Sequence, residues 1–436
     1  MDLITFIGVM AGVVAIVGFA YFLIFGQKSL VELWQAWQEW TARKKTSPSQ
    51  EQPARPVASV EPKSTPPSSS AMQSEEQTFS DGQPVAVSET LVEPRSSYDP
   101  QPSLEIPLGV VRPNSPFYIE RPADEQLRRQ VLGAGTLTTI RAGRQAGKTS
   151  LLMRGVQIAK QDKRPVAYLD FQTVEAEYRK TLESLLRHLA DKIAYQLKIE
   201  SHRIGDTWQS SSGAPDKFSR FLEIEVLEQA KAPILLAIDE ADQLLDAPYK
   251  TDFFGLVRAW DSLRAYDERW AKLNVAMVIS THPFLLIENT NQSPFNVGLR
   301  IELQDFTEAQ VSDLNHRHGD PVASEEMPAM MDLLGGHPYL VRQALYTLVD
   351  QKLTWDELAK AAVGQQGPFG QHLRFYRNEL KQRPELVRAM QQVIAQRRPI
   401  EEKALYRLVA AGLVKEVENN YVCRCGLYEA YFREKL

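Results

Sequence analysis

The sequence predicts an α/β protein in which a mainly parallel sheet lies between two layers of helices. Five short apolar runs alternate with stretches of helical periodicity in the middle of the chain. Most of these runs contain almost no polar residues, which is typical of strands that are buried on both faces. The predicted strands cover residues 137–141, 166–171, 234–238, 275–281 and 299–303.

The C-terminal third has a different pattern. Strand signals stop after Phe306, and helical patterns continue from Thr307 to about residue 411. Two short strands that turn at Asn419 and Asn420 come next, and helices followed by such a hairpin predict a winged helix. We therefore expect a helical module at 306–366 and a winged-helix domain at 367–436, with a glycine-rich hinge at 364–370 in which few backbone groups are paired.

Composition indicates an ordinary soluble surface for most of the chain. The net charge is -5 and 24% of the 436 residues are charged, so there is no overall attraction to nucleic acid. The two cysteines, Cys423 and Cys425, are too few for a structural zinc site and are poorly spaced for a disulfide. We expect both to be reduced structural thiols.

The N-terminus predicts a single membrane-spanning helix. Residues 3–25 contain no charged side chain, and about 20 apolar residues span a bilayer. A secretory signal peptide is the alternative, but the chain starts Met1-Asp2 without a basic segment. Basic residues follow on the C-terminal side only, from Lys28 onward, which predicts that the globular part is cytoplasmic at the cell membrane.

Three N-terminal segments are expected in all. Residues 1–27 form the anchor, in which Gly8 and Gly12 could pair two copies of the chain. Residues 28–45 place Leu33, Trp34 and Trp37 on one face of an interfacial helix. Residues 46–107 are rich in Pro, Ser, Gln and Glu and predict a disordered linker, because they bury too little apolar area.

A loop of small residues between the first strand and a helical pattern predicts a phosphate site. It consists of Gly143, Arg144, Gln145, Ala146, Gly147, Lys148, Thr149 and Ser150. This is the P-loop arrangement, in which backbone N–H groups and a helix N-terminus face a phosphate. We expect Lys148 to reach the β- and γ-phosphates of ATP and Thr149 to bind Mg²⁺. Ala142 replaces the usual first glycine, which we expect the loop to tolerate.

Carboxylates follow the third predicted strand directly. Asp239 and Glu240 close the apolar run 234–238, at the sheet edge where ligands bind in such folds. We expect Asp239 to hold Mg²⁺ and Glu240 to orient or deprotonate the attacking water. Ser280 and Thr281 end the next strand, and either they sense the γ-phosphate or they are ordinary strand-end hydroxyls.

Further motifs occur together with this loop. They are residues 115–121, 239–242, 293–299, 335–341, 423–428 and 431–433. With 144–151, they resemble the AAA-like domain family of STAND-type P-loop ATPases over about residues 108–436. The resemblance implies an ATPase core at 108–305, a helical lid at 306–366 and a winged helix at 367–436. It also implies that Tyr118 to Arg121 border the adenine and that His337 and Pro338 lie near the nucleotide.

The expected function is a membrane-anchored switch that binds and hydrolyses ATP. Its expected partners are ATP or ADP, the membrane, an unidentified protein and a second copy of the chain. Two alternatives stay open: a membrane-tethered DNA-binding ATPase, and a scaffold that uses nucleotide only for stability. Candidate arginines are Arg258, Arg264 and Arg269 for a finger acting on a neighbouring copy, and Arg397, Arg398 and Arg424 for DNA phosphates; Glu401 and Glu402 oppose DNA binding.

Overall fold

The computed structural model describes residues 104–200, 202–280, 294–397, 401–418 and 420–436. All of them belong to the second of the chain's two units, residues 94–436. The predicted anchor at 1–27, the interfacial helix at 28–45 and most of the linker lie outside the described residues, as do Thr281 and Arg398. Within the described part, no helix is both long enough and apolar enough to cross a membrane.

The first half contains a five-stranded sheet. Its strands are β1 Leu137–Arg141, β2 Val166–Asp170, β3 Ile234–Asp239, β4 Leu273–Ile279 and β5 Leu299–Glu302. All neighbouring strands are parallel, in the order β2-β3-β4-β1-β5. The prediction of a parallel sheet from five apolar runs is therefore confirmed, and the P-loop after β1 lies at the same edge as the carboxylates that end β3.

Successive residues of a strand point to opposite faces of the sheet, and both faces carry apolar residues here. Helices therefore cover the sheet on both faces. The α-helices described in this half are α1 Pro122–Leu132, α2 Lys148–Gln161, α3 Leu182–Leu197, α4 His202–Trp208, α5 Ala214–Phe221 and α6 Lys250–Leu263. On β3, Leu236 and Ile238 pack with α3, α5 and α6, whereas Leu235 and Ala237 pack with α1 and α2. This sandwich fixes the sheet edge that carries the site.

The second half is mostly helical. Its elements are α7 Glu308–Arg317, α8 Met327–Leu334, α9 Pro338–Gln351, α10 Trp355–Ala361, α11 Gly370–Lys381, α12 Pro384–Ile394, α13 Glu402–Ala411, β6 Val414–Val417, β7 Asn420–Cys423 and α14 Gly426–Lys435. β6 and β7 form an antiparallel pair in which Val414 lies opposite Cys423. Helices followed by a hairpin thus occur where the sequence predicts them.

One hydrophobic cluster runs through this whole half. It extends from Val311 to Phe432 and takes in Phe117 and Ile119 from the N-terminal side. We call it the C-terminal core. Because helices from both predicted modules, 306–366 and 367–436, contribute to the C-terminal core, they pack as one body in this structure.

The expected hinge at 364–370 is a series of tight turns. The amides of Gly364, Gly367 and Gly370 donate to the carbonyls of Ala361, Gly364 and Gly367 at 3.0, 3.1 and 2.9 Å. Phe369 is fully buried in the C-terminal core. The expectation that few backbone groups here are paired was wrong, because the glycines allow the chain to turn tightly enough to bond to itself.

Candidate nucleotide site

The loop before α2 has the backbone geometry of a phosphate cradle. Gly147 has φ of 93°, a left-handed conformation that glycine adopts without strain, and it caps α2. The Nζ of Lys148 donates to the carbonyl oxygen of Gly143 at 3.0 Å, so the ammonium lies over the loop. Burial lowers the pKa of Lys148, against the effect of the carboxylates of Glu240, Asp242 and Asp239.

The two predicted metal ligands meet at this edge. Asp239 is buried and is hydrogen-bonded to the Thr149 hydroxyl, and its Oδ2 accepts from the Tyr168 hydroxyl at 3.1 Å. Burial raises the pKa of Asp239, while the bonds from Thr149 and Tyr168 lower it. A hydroxyl beside a carboxylate suits Mg²⁺, which takes few protein ligands together with phosphate oxygens and water.

Within the described part, no cluster of three or more His, Cys, Asp or Glu side chains is arranged to hold a metal by itself. A metal at Thr149 and Asp239 would therefore depend on the phosphates for the rest of its coordination.

Glu240 occupies an unusual backbone position directly after β3. Its φ is 52°, a left-handed conformation that is rare for a non-glycine residue, and its side chain lines the cavity beside the P-loop. Burial raises the pKa of Glu240, the Asp242 carboxylate raises it further, and Lys148 lowers it. Ser280 also lines the cavity, and its amide donates to Oδ1 of Asp242 at 3.1 Å.

A cavity of about 960 Å³ joins the loop to the C-terminal core. The P-loop residues that line it are Arg144, Gln145, Gly147, Lys148, Thr149 and Ser150. Gly143, Ala146 and Asp239 do not line it. An entry segment, residues 105–112, forms another wall and is tied to α2 by the Val111 amide, which donates to the Ser150 hydroxyl at 3.0 Å.

Tyr118 and Arg121 both line the cavity but have structural partners as well. The Tyr118 hydroxyl donates to Oδ1 of Asp124 at 2.7 Å, and the guanidinium of Arg154 lies 4.3 Å from the ring centre. Burial raises the pKa of Tyr118. Arg121 donates to the carbonyl oxygen of Ala146 at 2.9 Å, and this hydrogen bond helps to fix the backbone of the P-loop.

His337 does not reach the cavity, which corrects the expectation that it touches nucleotide. Its ring is fully buried, neither ring nitrogen has a hydrogen-bond partner, and the rings of His372 and Tyr428 lie edge-on at 6.1 and 6.2 Å. Burial, reinforced by Arg424, holds its pKa well below the ordinary value. The neighbouring Pro338 does line the cavity, as expected.

The C-terminal half contacts the P-loop directly, which sequence reasoning missed. A Cβ built on Gly143 would lie 2.7 Å from the Cα of Gly412, so the two glycines pack backbone to backbone. The Arg144 guanidinium lies 4.1 Å from the ring centre of Phe375. Gly412 ends α13 with φ of 75°. A glycine directly after a helical pattern predicts that the helix ends there, but it does not predict that this glycine packs against the P-loop.

Three candidate arginines already have partners. Arg424 is buried and forms an ion pair with Asp305, with Nε 3.1 Å from both carboxylate oxygens, so it is not available to DNA. Arg264 donates to the carbonyls of Thr136 and Leu273. Arg269 pairs with Asp267 and Glu223. Arg264 is thus held within its own sheet half, whereas Arg269, whose side chain is 38% exposed, and Arg258 stay predictions.

Known proteins resemble this chain at three levels. The profile of the AAA-like domain family matches residues 106–434. An uncharacterized WD repeat-containing protein of Synechocystis is 29% identical over 249 residues, which cover 54% of this chain and 20% of that protein. The chain thus spans about a fifth of the length of this curated relative.

Solved structures align over most of the described unit with low identity. The Walker-type ATPase of Pyrococcus abyssi has a TM-score of 0.49 and 18% identity and covers 72% of this chain and 96% of its own. The ORC2 protein of Aeropyrum pernix has a TM-score of 0.38 and 14% identity, covering 75% and 99%. Domain III of the Thermotoga maritima replication initiation protein DnaA has a TM-score of 0.34 and 16% identity, covering 54% and 87%.

Proposed function

The chain belongs to the AAA-like domain family, and from this premise we propose that it binds ATP with Mg²⁺ and hydrolyses the γ-phosphate. The observation that carries the proposal is that Lys148, Thr149 and Glu240 line one cavity at the carboxyl edge of a parallel sheet. Ligands bind at this edge in open α/β sheets. Alone, any of these residues is common; together, they form the constellation for phosphoryl transfer.

Each side chain has a defined task in this proposal. Lys148 leaves the carbonyl of Gly143 and binds the β- and γ-phosphate oxygens, for which its ammonium is a stronger partner. Thr149 and Asp239 would hold Mg²⁺, which would neutralise charge on the phosphates. Glu240 lies beside Lys148 and orients the attacking water, from which it accepts a proton.

The experiment that tests the proposal compares phosphate release and ATP binding in three chains. Lys148→Ala is expected to lose binding, because it removes the ammonium that lies over the loop, 3.0 Å from the Gly143 carbonyl oxygen. Glu240→Gln is expected to keep binding and to lose turnover by about a hundredfold or more, since an amide cannot accept the proton. Turnover in Glu240→Gln equal to that of wild type would remove Glu240 from the chemistry, and absence of turnover in all three would favour the nucleotide-stabilised scaffold.

We extend the proposal to a regulatory switch of the STAND type. Its support is that the C-terminal half, which we interpret as a lid joined to a winged helix, packs on the P-loop through Gly412 and Phe375. A phosphate in the loop then changes a surface that the C-terminal half contacts. In this proposal the output passes to another protein.

Membrane attachment is also part of the proposal and rests on the sequence. The uncharged residues 3–25, followed by Lys28, support a single-pass anchor with the ATPase on the cytoplasmic side. A C-terminal fusion to a reporter that is active only outside the cytoplasm should be silent. Activity of that fusion would refute the topology.

A further inference from the structure

The end of α13 packs directly on the P-loop backbone. Gly412 follows this helix and packs against Gly143, whose carbonyl holds the Lys148 ammonium. Arg407 lies five residues earlier, about 7.5 Å along the helix axis. Its side chain lines the same cavity as Lys148, Thr149 and Glu240. The helix therefore contributes a long cationic side chain to the lining of the nucleotide cavity.

Arg407 is only loosely held in this structure. Its Nη1 lies 3.5 Å from Oε1 of Glu385 on α12, and the two side chains are 36% and 28% exposed. Such a partly exposed, long ion pair is weak and exchanges readily. Arg424, in contrast, is buried and gives two bonds of 3.1 Å to Asp305 from one nitrogen. Of these two arginines, Arg407 has the partner that a phosphate can displace.

From these contacts we infer that Arg407 exchanges Glu385 for the terminal phosphate of a nucleoside triphosphate and thereby determines the preference for triphosphate over diphosphate. The inference rests on the proposed nucleotide site and names the residue by which the C-terminal half recognises the γ-phosphate. A guanidinium matches phosphate oxygens with two parallel N–H donors, which makes this bond stronger than the present one to Glu385. A diphosphate lacks the group that draws Arg407 away from Glu385.

Arg383 also lines the cavity, but it lies between α11 and α12, outside both helices. Its side chain is 48% exposed, and its Nη1 lies 3.5 Å from Oε2 of Glu379. Arg407 lies on the helix whose final glycine packs against the P-loop, so we assign the γ-phosphate to Arg407 and expect a smaller effect from Arg383.

The experiment measures equilibrium binding of a non-hydrolysable ATP analogue and of ADP, both with Mg²⁺, to the full chain in detergent. Arg407→Ala should weaken the ATP analogue about tenfold and change ADP less than about twofold. Arg407→Lys keeps the charge and the aliphatic stem and should recover part of the loss. The matched control is Arg388→Ala, an exposed arginine on α12 outside the cavity lining, which should change neither affinity.

Glu385→Gln tests the exchange from the other side. Because it removes the competing carboxylate without removing Arg407, it should strengthen binding of the ATP analogue and leave ADP unchanged. If the ratio of ATP-analogue affinity to ADP affinity in Arg407→Ala equals that of wild type, the inference is overturned while the proposed nucleotide site stands. Binding of neither nucleotide by wild type would overturn the proposed function, and this inference with it.

Discussion

Glu240 and Asp242 place two carboxylates beside the Lys148 ammonium, in a site where burial penalises charge. Burial and Asp242 both raise the pKa of Glu240. A base with a raised pKa loses activity as the pH falls through that pKa, because its protonated form cannot accept a proton. If Glu240 is the base, as we propose, the acid side of the turnover profile reports its pKa.

Asp242→Asn is expected to shift that acid limb to lower pH. The change removes a negative neighbour, so the pKa of Glu240 falls and the active carboxylate persists into more acidic solution. Asparagine keeps an oxygen that can accept from the Ser280 amide. The measurement is kcat against pH for the two chains. A limb that stays in place would mean that another group controls the acid side.

For single residues, the sequence predicts which side chains can bind nucleotide or metal better than it predicts where those side chains point. Thr149 and Asp239 were expected together and are hydrogen-bonded, because both belong to motifs whose local geometry is fixed by a strand end and a helix start. His337 was expected at the nucleotide but is buried. Its direction is set by Gly336, which lies so close to Phe306 that a Cβ there would be 2.1 Å from the Phe306 carbonyl oxygen. No local pattern reveals that long-range contact.

Among the elements, α13 depends on the glycine that ends it. Gly412 has φ of 75°, and a Cβ there would lie 2.6 Å from Nη1 of Arg424 and 3.3 Å from the Cα of Gly143. The position therefore combines a left-handed backbone with close packing against an ion-paired arginine and the P-loop.

Gly412→Ala is expected to destabilise the protein by about 1–2 kcal/mol from backbone strain alone, and more from the contact with Arg424. The matched control is Gly255→Ala in α6, where a Cβ meets nothing within 4 Å and φ is not positive, so stability should rise by about 0.4–1 kcal/mol. Urea unfolding measures both. Equal effects of the two changes would show that α13 does not need its close approach to the loop.

The strands of the sheet could be predicted from the sequence because each is a local apolar run. The packing of α13 and α11 on the P-loop could not, since it joins Gly143 to Gly412 and Arg144 to Phe375 across more than half of the described unit. The glycine-rich segment at 364–370 also misled the prediction. Glycine content indicates a permitted turn equally well whether the turn is loose or, as here, closed by a hydrogen bond from each glycine amide.

On the scale of the whole unit, two bodies share the nucleotide cavity. One is the sheet with its helices, and the other is built on the C-terminal core. The chain passes between the two bodies at 119–122 and again at 303–307. Ile119 and Phe306 pack with the C-terminal core, whereas Ala123 and Leu303 pack with the sheet and its helices. Asp305 lies within the second passage and pairs with Arg424, so this passage is joined to the end of β7.

If nucleotide moves the two bodies, the change should be concentrated at these passages. We expect hydrogen exchange at 303–307 and 412–424 to differ between the ATP-analogue and ADP complexes, because opening the cavity separates Gly412 from Gly143 and strains the Asp305–Arg424 pair. Exchange at 364–370 should be the same in both, since that segment lies inside one body. The reverse pattern, with protection constant at 303–307 and altered at 364–370, would show that the lid and the C-terminal helices move separately.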